Sequence, residues 1–201
     1  MKSFIVLLVF TVCTFMFSTS QSHATCPAGY SSATATYFYG AGDCRIDVYY
    51  CYKTTPLGVI DIVVDYFVVD MPCGLDINYN ATFFTEMSNQ ITNHYLGTQQ
   101  LSLPPCPLTG TLLQVAFAQC IKFKNDYVNQ QMRVLNCNDL GKCIRSYRVC
   151  YNAINNSVTK TYIGVTSEGT HDCSTTLPTM PPAGKTIYEE WETECYHPGC
   201  D

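Results

Sequence analysis

Four histidines (His23, His94, His171, His197) and 16 carboxylates are the side chains best suited to move a proton near neutral pH. Their spacing matches no catalytic pattern. The chain has no Gly-x-Ser-x-Gly elbow, no His-Glu-x-x-His pair and no phosphate-cradling glycine loop. His94 falls on a helical pattern beside Tyr95 and reads as a surface or hydrogen-bonded polar residue. Asp61 and Asp65 lie on one strand face, about 13 Å apart by strand rise, wider than paired glycosidase carboxylates. Glu189, Glu190, Glu192 and Glu194 surround Trp191, the only tryptophan, and would suit either a sugar cleft or a solvated edge.

Metal chemistry has two starting points, Cys195-Tyr-His-Pro-Gly-Cys200 and His171-Asp172-Cys173. Zinc prefers such donors, but the paired Cys-x2-Cys signature of structural sites does not occur, and neither does an Asp-x-Asp-x-Asp-Gly calcium loop. The residues therefore point to no catalytic set, no metal and no cofactor. Two sequons, Asn80-Ala81-Thr82 and Asn155-Asn156-Ser157, offer glycosylation sites in a eukaryotic host.

The cysteines are the dominant chemistry. Lys2, an uncharged apolar run from Phe4 to Phe17, and Ser22-His23-Ala24 read as a signal peptide over residues 1–24, cut before Thr25. The run is shorter than a bilayer span needs, so no membrane span remains after cleavage. Removing it leaves twelve cysteines in 177 residues: Cys26, Cys44, Cys51, Cys73, Cys106, Cys120, Cys137, Cys143, Cys150, Cys173, Cys195 and Cys200. An even number in an exported chain predicts full oxidation. Localisation outside the cell follows, or the periplasm in a bacterium. Net charge falls from −5 to −6 on losing Lys2, which disfavours nucleic acid as a partner.

One spacing occurs twice. Cys44 and Cys51 enclose six residues and precede Tyr52; Cys143 and Cys150 enclose six and precede Tyr151. Cys73 and Cys173 follow at similar distances, and Cys26 and Cys120 are candidate leading cysteines. Val59, Ile62 and Val64 match Val158, Thr161 and Ile163 at one offset. These coincidences predict a duplicated unit.

Each unit reads as an antiparallel β-hairpin, from its Tyr, Val and Ile content and its turn residues. In the first, Ile60, Ile62, Val64, Tyr66 and Val68 alternate onto one face. Leu112 to Lys124 reads as a further strand turning at Asn125-Asp126. Phe83, Met87, Ile91 and Tyr95 recur every four residues, predicting a helix near 82–96 that Asn80 or Thr82 can cap. The expected fold is mainly β and disulfide-rich: a first β unit with the helix (25–97), a Pro-rich linker (98–110), a second β unit (111–173), then a Pro-rich and acidic C-terminal segment (174–201). In a hairpin of 44–52 with 59–67, Cys51 cannot reach Cys73, since about 40 Å of strand separates them against a limit of about 7 Å. The expected bridges are Cys26–Cys51 and Cys44–Cys73, with Cys120–Cys150 and Cys143–Cys173 as equivalents.

Charge splits along the same line. Seven acids oppose Arg45 and Lys53 between Asp43 and Glu86, whereas seven bases oppose Asp126 and Asp139 between Cys120 and Lys160. The two units can therefore meet within one chain, or between neighbouring molecules as self-association. The reading is a non-enzymatic extracellular structural or interaction module whose partner is an extracellular protein or glycan. The alternatives are a secreted inhibitor or ligand-binding protein, and a carboxylate-dependent glycan hydrolase.

Overall fold

The computed structural model describes residues 24–40, 44–99, 103–106, 110–137 and 141–200; the signal peptide expected over 1–24 lies outside these apart from Ala24. Among the described residues the fold is mainly β, with one α-helix on a mixed sheet and six disulfides. The strands are β1 (Ser31–Tyr39), β2 (Cys44–Thr54), β3 (Ile60–Asp70), β4 (Thr111–Ala118), β5 (Ile121–Asp126), β6 (Gln131–Asn136), β7 (Lys142–Asn152) and β8 (Ser157–Glu168). The helix α1 spans Ala81–Thr98, and a 3-10 turn, Cys73–Asp76, precedes it. Among the described residues no helix is long and apolar enough to cross a membrane.

The β2–β3 and β7–β8 hairpins, both antiparallel, belong to one continuous sheet in the order β1-β2-β3-β4-β7-β8. They join where Ile60–Val63 of β3 pair in parallel with Leu113–Ala116 of β4. A parallel join needs a crossover, and α1 supplies it by packing back over the sheet. From Tyr66 onward β3 pairs instead with β6, antiparallel, and β6 carries β5. The sheet therefore forks along β3. At the fork the Asn136 side-chain amide donates to the Val64 carbonyl at 3.0 Å, filling a gap in the ladder.

Alternation along β3 is not continuous. Tyr49 faces Tyr66 but Tyr50 faces Val64, so Asp65 is an extra residue. The bulge brings Phe67 and Val69 into the core with Ile60, Ile62 and Val64. Tyr66, expected on that face, stacks on Tyr49 at 4.4 Å. The β7–β8 hairpin has a comparable irregularity, with Ile163 as the extra residue.

Helix α1 closes the core. Phe83, Met87, Ile91 and Tyr95 are buried as their spacing predicts, and Asn80 caps the start by accepting from the Phe83 N–H at 3.1 Å. The Phe83 ring meets Tyr39, Phe67 and Tyr79 with centroids 5.0–5.8 Å apart. Burying an aromatic side chain fully contributes about 1.5–3 kcal/mol. The guanidinium of buried Arg145 donates to the carbonyls of Ala81 (3.2 Å) and Cys200 (3.0 Å), tying the helix start to the end of the chain.

The bridges are Cys26–Cys51, Cys44–Cys73, Cys106–Cys150, Cys120–Cys173, Cys137–Cys195 and Cys143–Cys200. The first two are the pairs expected for the first hairpin. The expected Cys120–Cys150 and Cys143–Cys173 do not form. Cys106 is the partner of Cys150, held there because the Cys106 and Tyr151 N–H groups donate to the Tyr151 and Pro104 carbonyls, each at 2.9 Å. The expected strand 112–124 is also broken. Gln119 and Cys120 separate β4 from β5, and the chain turns at Tyr127–Gln130. That break swings Cys120 away from the hairpin and towards Cys173.

Candidate functional site

The segment from Cys173 to Cys200 has almost no regular structure, yet it is firmly placed. Cys173, Cys195 and Cys200 bond to Cys120, Cys137 and Cys143. It runs beside β5 as a broken strand, with Ile121 and Tyr196 exchanging N–H···O bonds of 2.9 and 2.8 Å and the Asn125 N–H donating to the Trp191 carbonyl at 2.9 Å. Trp191 and Tyr196 are buried in the core. An ion pair, Lys122–Glu192 at 2.6 Å, lies on the outer edge.

Where this segment crosses the β5–β6 turn it encloses a cleft of about 460 Å³. Its lining comes from Ile187 and Tyr188 of this segment, Met71 and Pro72 just after β3, and Asn125, Tyr127 and Gln130 at and around the turn. The turn is set by Asp126, whose carboxylate accepts the Asn129 side-chain amide at 2.9 Å, the Asn129 backbone N–H at 3.3 Å and the Arg133 guanidinium at 3.2 Å. These bonds hold the Asp126 carboxyl below its usual range. Gln130 takes a left-handed conformation (φ 53°), and its carbonyl accepts the Met71 N–H at 2.9 Å, fixing the turn to the residue after β3.

Asn125 is the pivot of the site. Its side-chain nitrogen donates to the Ile187 and Glu189 carbonyls at 2.9 and 2.8 Å. Two carbonyl partners settle which end of the amide is nitrogen. The other end, Oδ1, is buried without a hydrogen-bond partner, although Asn125 lines the cleft and is only 1% exposed. An unmet buried acceptor costs about 1–3 kcal/mol. Tyr188 is 81% exposed and Tyr127 44%, an unusual outlay of aromatic surface beside that acceptor. The lining carries no carboxylate, histidine, lysine or cysteine. A smaller, charged hollow of about 300 Å³, lined by Lys124, Asp126, Arg133 and Glu190, shares Asn125 with it.

The residues singled out from sequence lie elsewhere or serve other ends. His94 meets the Tyr50 hydroxyl at 2.9 Å, and burial pulls its pKa down. Cys120, His171 and Cys173 place their ligand atoms within 4.8 Å, but the two sulfurs are bonded to each other and so are not thiolates. His171 stacks on His197 at 3.9 Å, and the His197 Nδ1 pairs with the Gln119 carbonyl at 2.8 Å. Asp61 bonds the Tyr30 hydroxyl, and Asp65 accepts the Thr25 N–H at 2.9 Å. Glu189 accepts the Thr186 N–H and the Lys185 ammonium, which lower its pKa, whereas Glu192 pairs with Lys122; the acidic cluster is thus divided among separate partners. Asn155 is exposed in the β7–β8 turn, and Asn80 spends its oxygen on the helix cap.

Sequence reasoning missed Asn125, Tyr127, Gln130 and Tyr188, which stand in two segments about sixty residues apart; the turn reading at Asn125-Asp126 touched the place. No family model, no curated protein and no solved structure matches this chain, so the reading of the cleft rests on its own residues and geometry.

Proposed function

We propose that the protein is a secreted, disulfide-stabilised interaction module that holds an extracellular ligand in the cleft between Tyr127 and Tyr188, without catalysing its conversion. Six disulfides point to an oxidising extracellular environment. The carrying observation is the cleft itself, which exposed Tyr127 and Tyr188 line together with Gln130, in a lining without acid, base or nucleophile apart from tyrosine hydroxyls. Such a site orients and stacks a ligand, and offers little for proton transfer.

Secretion has support at the other end of the chain. A cut before Thr25 converts the nitrogen lying 2.9 Å from the Asp65 carboxylate into an ammonium, turning a hydrogen bond into an ion pair. N-terminal sequencing of exported protein should start at Thr25. For the module itself, wild-type protein and a Tyr188→Ala variant are immobilised and exposed to the native extracellular medium. A component retained by the wild type and lost by the variant supports the reading; identical retention by both contradicts it.

Self-association through charge is a second reading of the same class. Many of the charges that motivated it have partners within the chain, as in Arg45–Asp47 at 2.9 Å and Arg133–Asp126 at 3.2 Å, and Lys160 donates to Asn89 and Asn93 of α1. The ligand reading is therefore the better supported.

A further inference from the structure

We propose that Asn155, at the tip of the β7–β8 hairpin, is the acceptor of an N-linked glycan, and that the second sequon, at Asn80, is not. Acceptance of the glycan requires export and is independent of the cleft. Both sequons meet the pattern, with Asn156 and Ala81 rather than proline in the middle position. The fold separates them.

The Asn155 sequon is open. Every residue from Ala153 to Thr159 is exposed. The turn is built around Asn155 without using its side chain. The Asn152 side-chain oxygen accepts the Ile154 and Asn155 backbone N–H groups at 3.0 and 3.4 Å. Asn156, left-handed at φ 49°, accepts the Tyr151 hydroxyl. Among the described residues the Asn155 carboxamide has no hydrogen-bond partner, and neither has the Ser157 hydroxyl. A sugar on Asn155 therefore displaces no native bond, and the acceptor stays available after the hairpin has closed.

Folding closes the Asn80 sequon. Asn80 is half-buried, and its Oδ1 caps α1 by accepting the Phe83 N–H at 3.1 Å. Its carbonyl accepts the Phe84 N–H at 3.2 Å. The next carbonyl, of Ala81, accepts both the Thr85 hydroxyl (2.8 Å) and the Arg145 guanidinium (3.2 Å). A transferase would have to unwind the first turn of α1 to reach this asparagine.

The donor class is an oligosaccharide on a lipid pyrophosphate. Asn155 Nδ2 bonds to the sugar C1 as the C1–O bond to the pyrophosphate breaks. The lipid pyrophosphate leaves with the bonding electrons, and one Nδ2 proton passes to the transferase. The product is an uncharged amide carrying a bulky hydrophilic chain. It stands at the start of β8, whose edge exposes Val158, Tyr162 and Ile163, and so hinders another strand from pairing there.

The test is the intact mass of the full chain exported from cultured eukaryotic cells, before and after an N-glycosidase. The wild type should carry one glycan, released with conversion of Asn155 to aspartate. Asn155→Gln and Ser157→Ala should each leave the cell at the bare polypeptide mass. Thr82→Ala, which removes the other sequon but keeps the Asn80 cap, should retain the full glycan. All three side chains are exposed, so the variants fold. Wild-type protein at the bare polypeptide mass, or a glycan that survives Ser157→Ala, overturns the acceptor. Loss of a glycan in Thr82→Ala overturns the choice between the sequons.

Discussion

The β2–β3 and β7–β8 hairpins share a cysteine spacing, a following tyrosine and a bulge on the second strand, yet they occupy opposite situations. In the first, β3 is the central strand of the sheet, paired with β2, β4 and β6, and Ile60, Ile62 and Val64 are almost wholly buried. In the second, β8 is an edge, and Val158, Tyr162 and Ile163 are 40–53% exposed. The edge is blunted by its bulge and by Lys160 rather than covered. The difference extends to the bridges. Cys44 closes on Cys73, 29 residues away, whereas the matching Cys143 reaches Cys200, 57 residues away. The first hairpin uses one cysteine to close on the turn after its own second strand and the other to hold the segment before β1. The second uses one of them to hold the C-terminal segment that walls the cleft. A local motif therefore does not determine its partners; the element next to it in the sheet does.

The largest contrast should come from aligned core positions. Ile62→Ala removes a fully buried side chain and should cost about 2–5 kcal/mol, whereas Thr161→Ala, at the matching place on the edge, should stay within about 0.5 kcal/mol. Equilibrium denaturation reads both; comparable losses would mean that β8 is covered in solution.

Next in size is the Cys137→Ser/Cys195→Ser double variant, which frees the segment beside β5. A lost native bridge costs about 2–5 kcal/mol. The loss should be local: faster proteolysis between Ser174 and Lys185 with the circular dichroism of the sheet retained. Cys44→Ser/Cys73→Ser should instead lower the stability of the entire domain. If the two variants unfold alike, the division of labour between hairpins is wrong.

Much of the local structure was legible. The four-residue spacing of Phe83, Met87, Ile91 and Tyr95 marked α1, and Tyr-, Val- and Ile-rich runs marked the strands. What escaped was non-local. The Asp65 bulge leaves no trace in the run of apolar residues, because Tyr66, Phe67, Val68 and Val69 fit either face. The parallel join of β3 to β4 depends on α1 crossing over, and no local spacing encodes it. The cleft was hidden for the same reason: Met71, Asn125 and Tyr188 meet only after the bridges have brought the C-terminal segment back to β5. Asn125 read as a turn residue from its type alone, when its side chain holds the Ile187 and Glu189 carbonyls of the C-terminal segment.

A smaller effect concerns pH. His94, bonded to Tyr50 of the first hairpin, has its pKa lowered below 6.5 by burial. The unfolded chain therefore takes up a proton at higher pH than the folded one. His94 contributes stability that is intact above pH 6.5 and declines as the pH falls through its folded value. His94→Gln should flatten the fall in melting temperature below pH 6.5; an unchanged slope would assign that fall to other groups.

Peptide mapping of the unreduced protein tests the contrast between the hairpins most directly. The expected result is no free thiol among the twelve cysteines and fragments joined through Cys26–Cys51, Cys44–Cys73, Cys106–Cys150, Cys120–Cys173, Cys137–Cys195 and Cys143–Cys200. Recovery of Cys143–Cys173 with Cys120–Cys150 would contradict it. The second hairpin would then close on Cys173 as the first closes on Cys73, and the C-terminal segment would lose its anchor at Cys200.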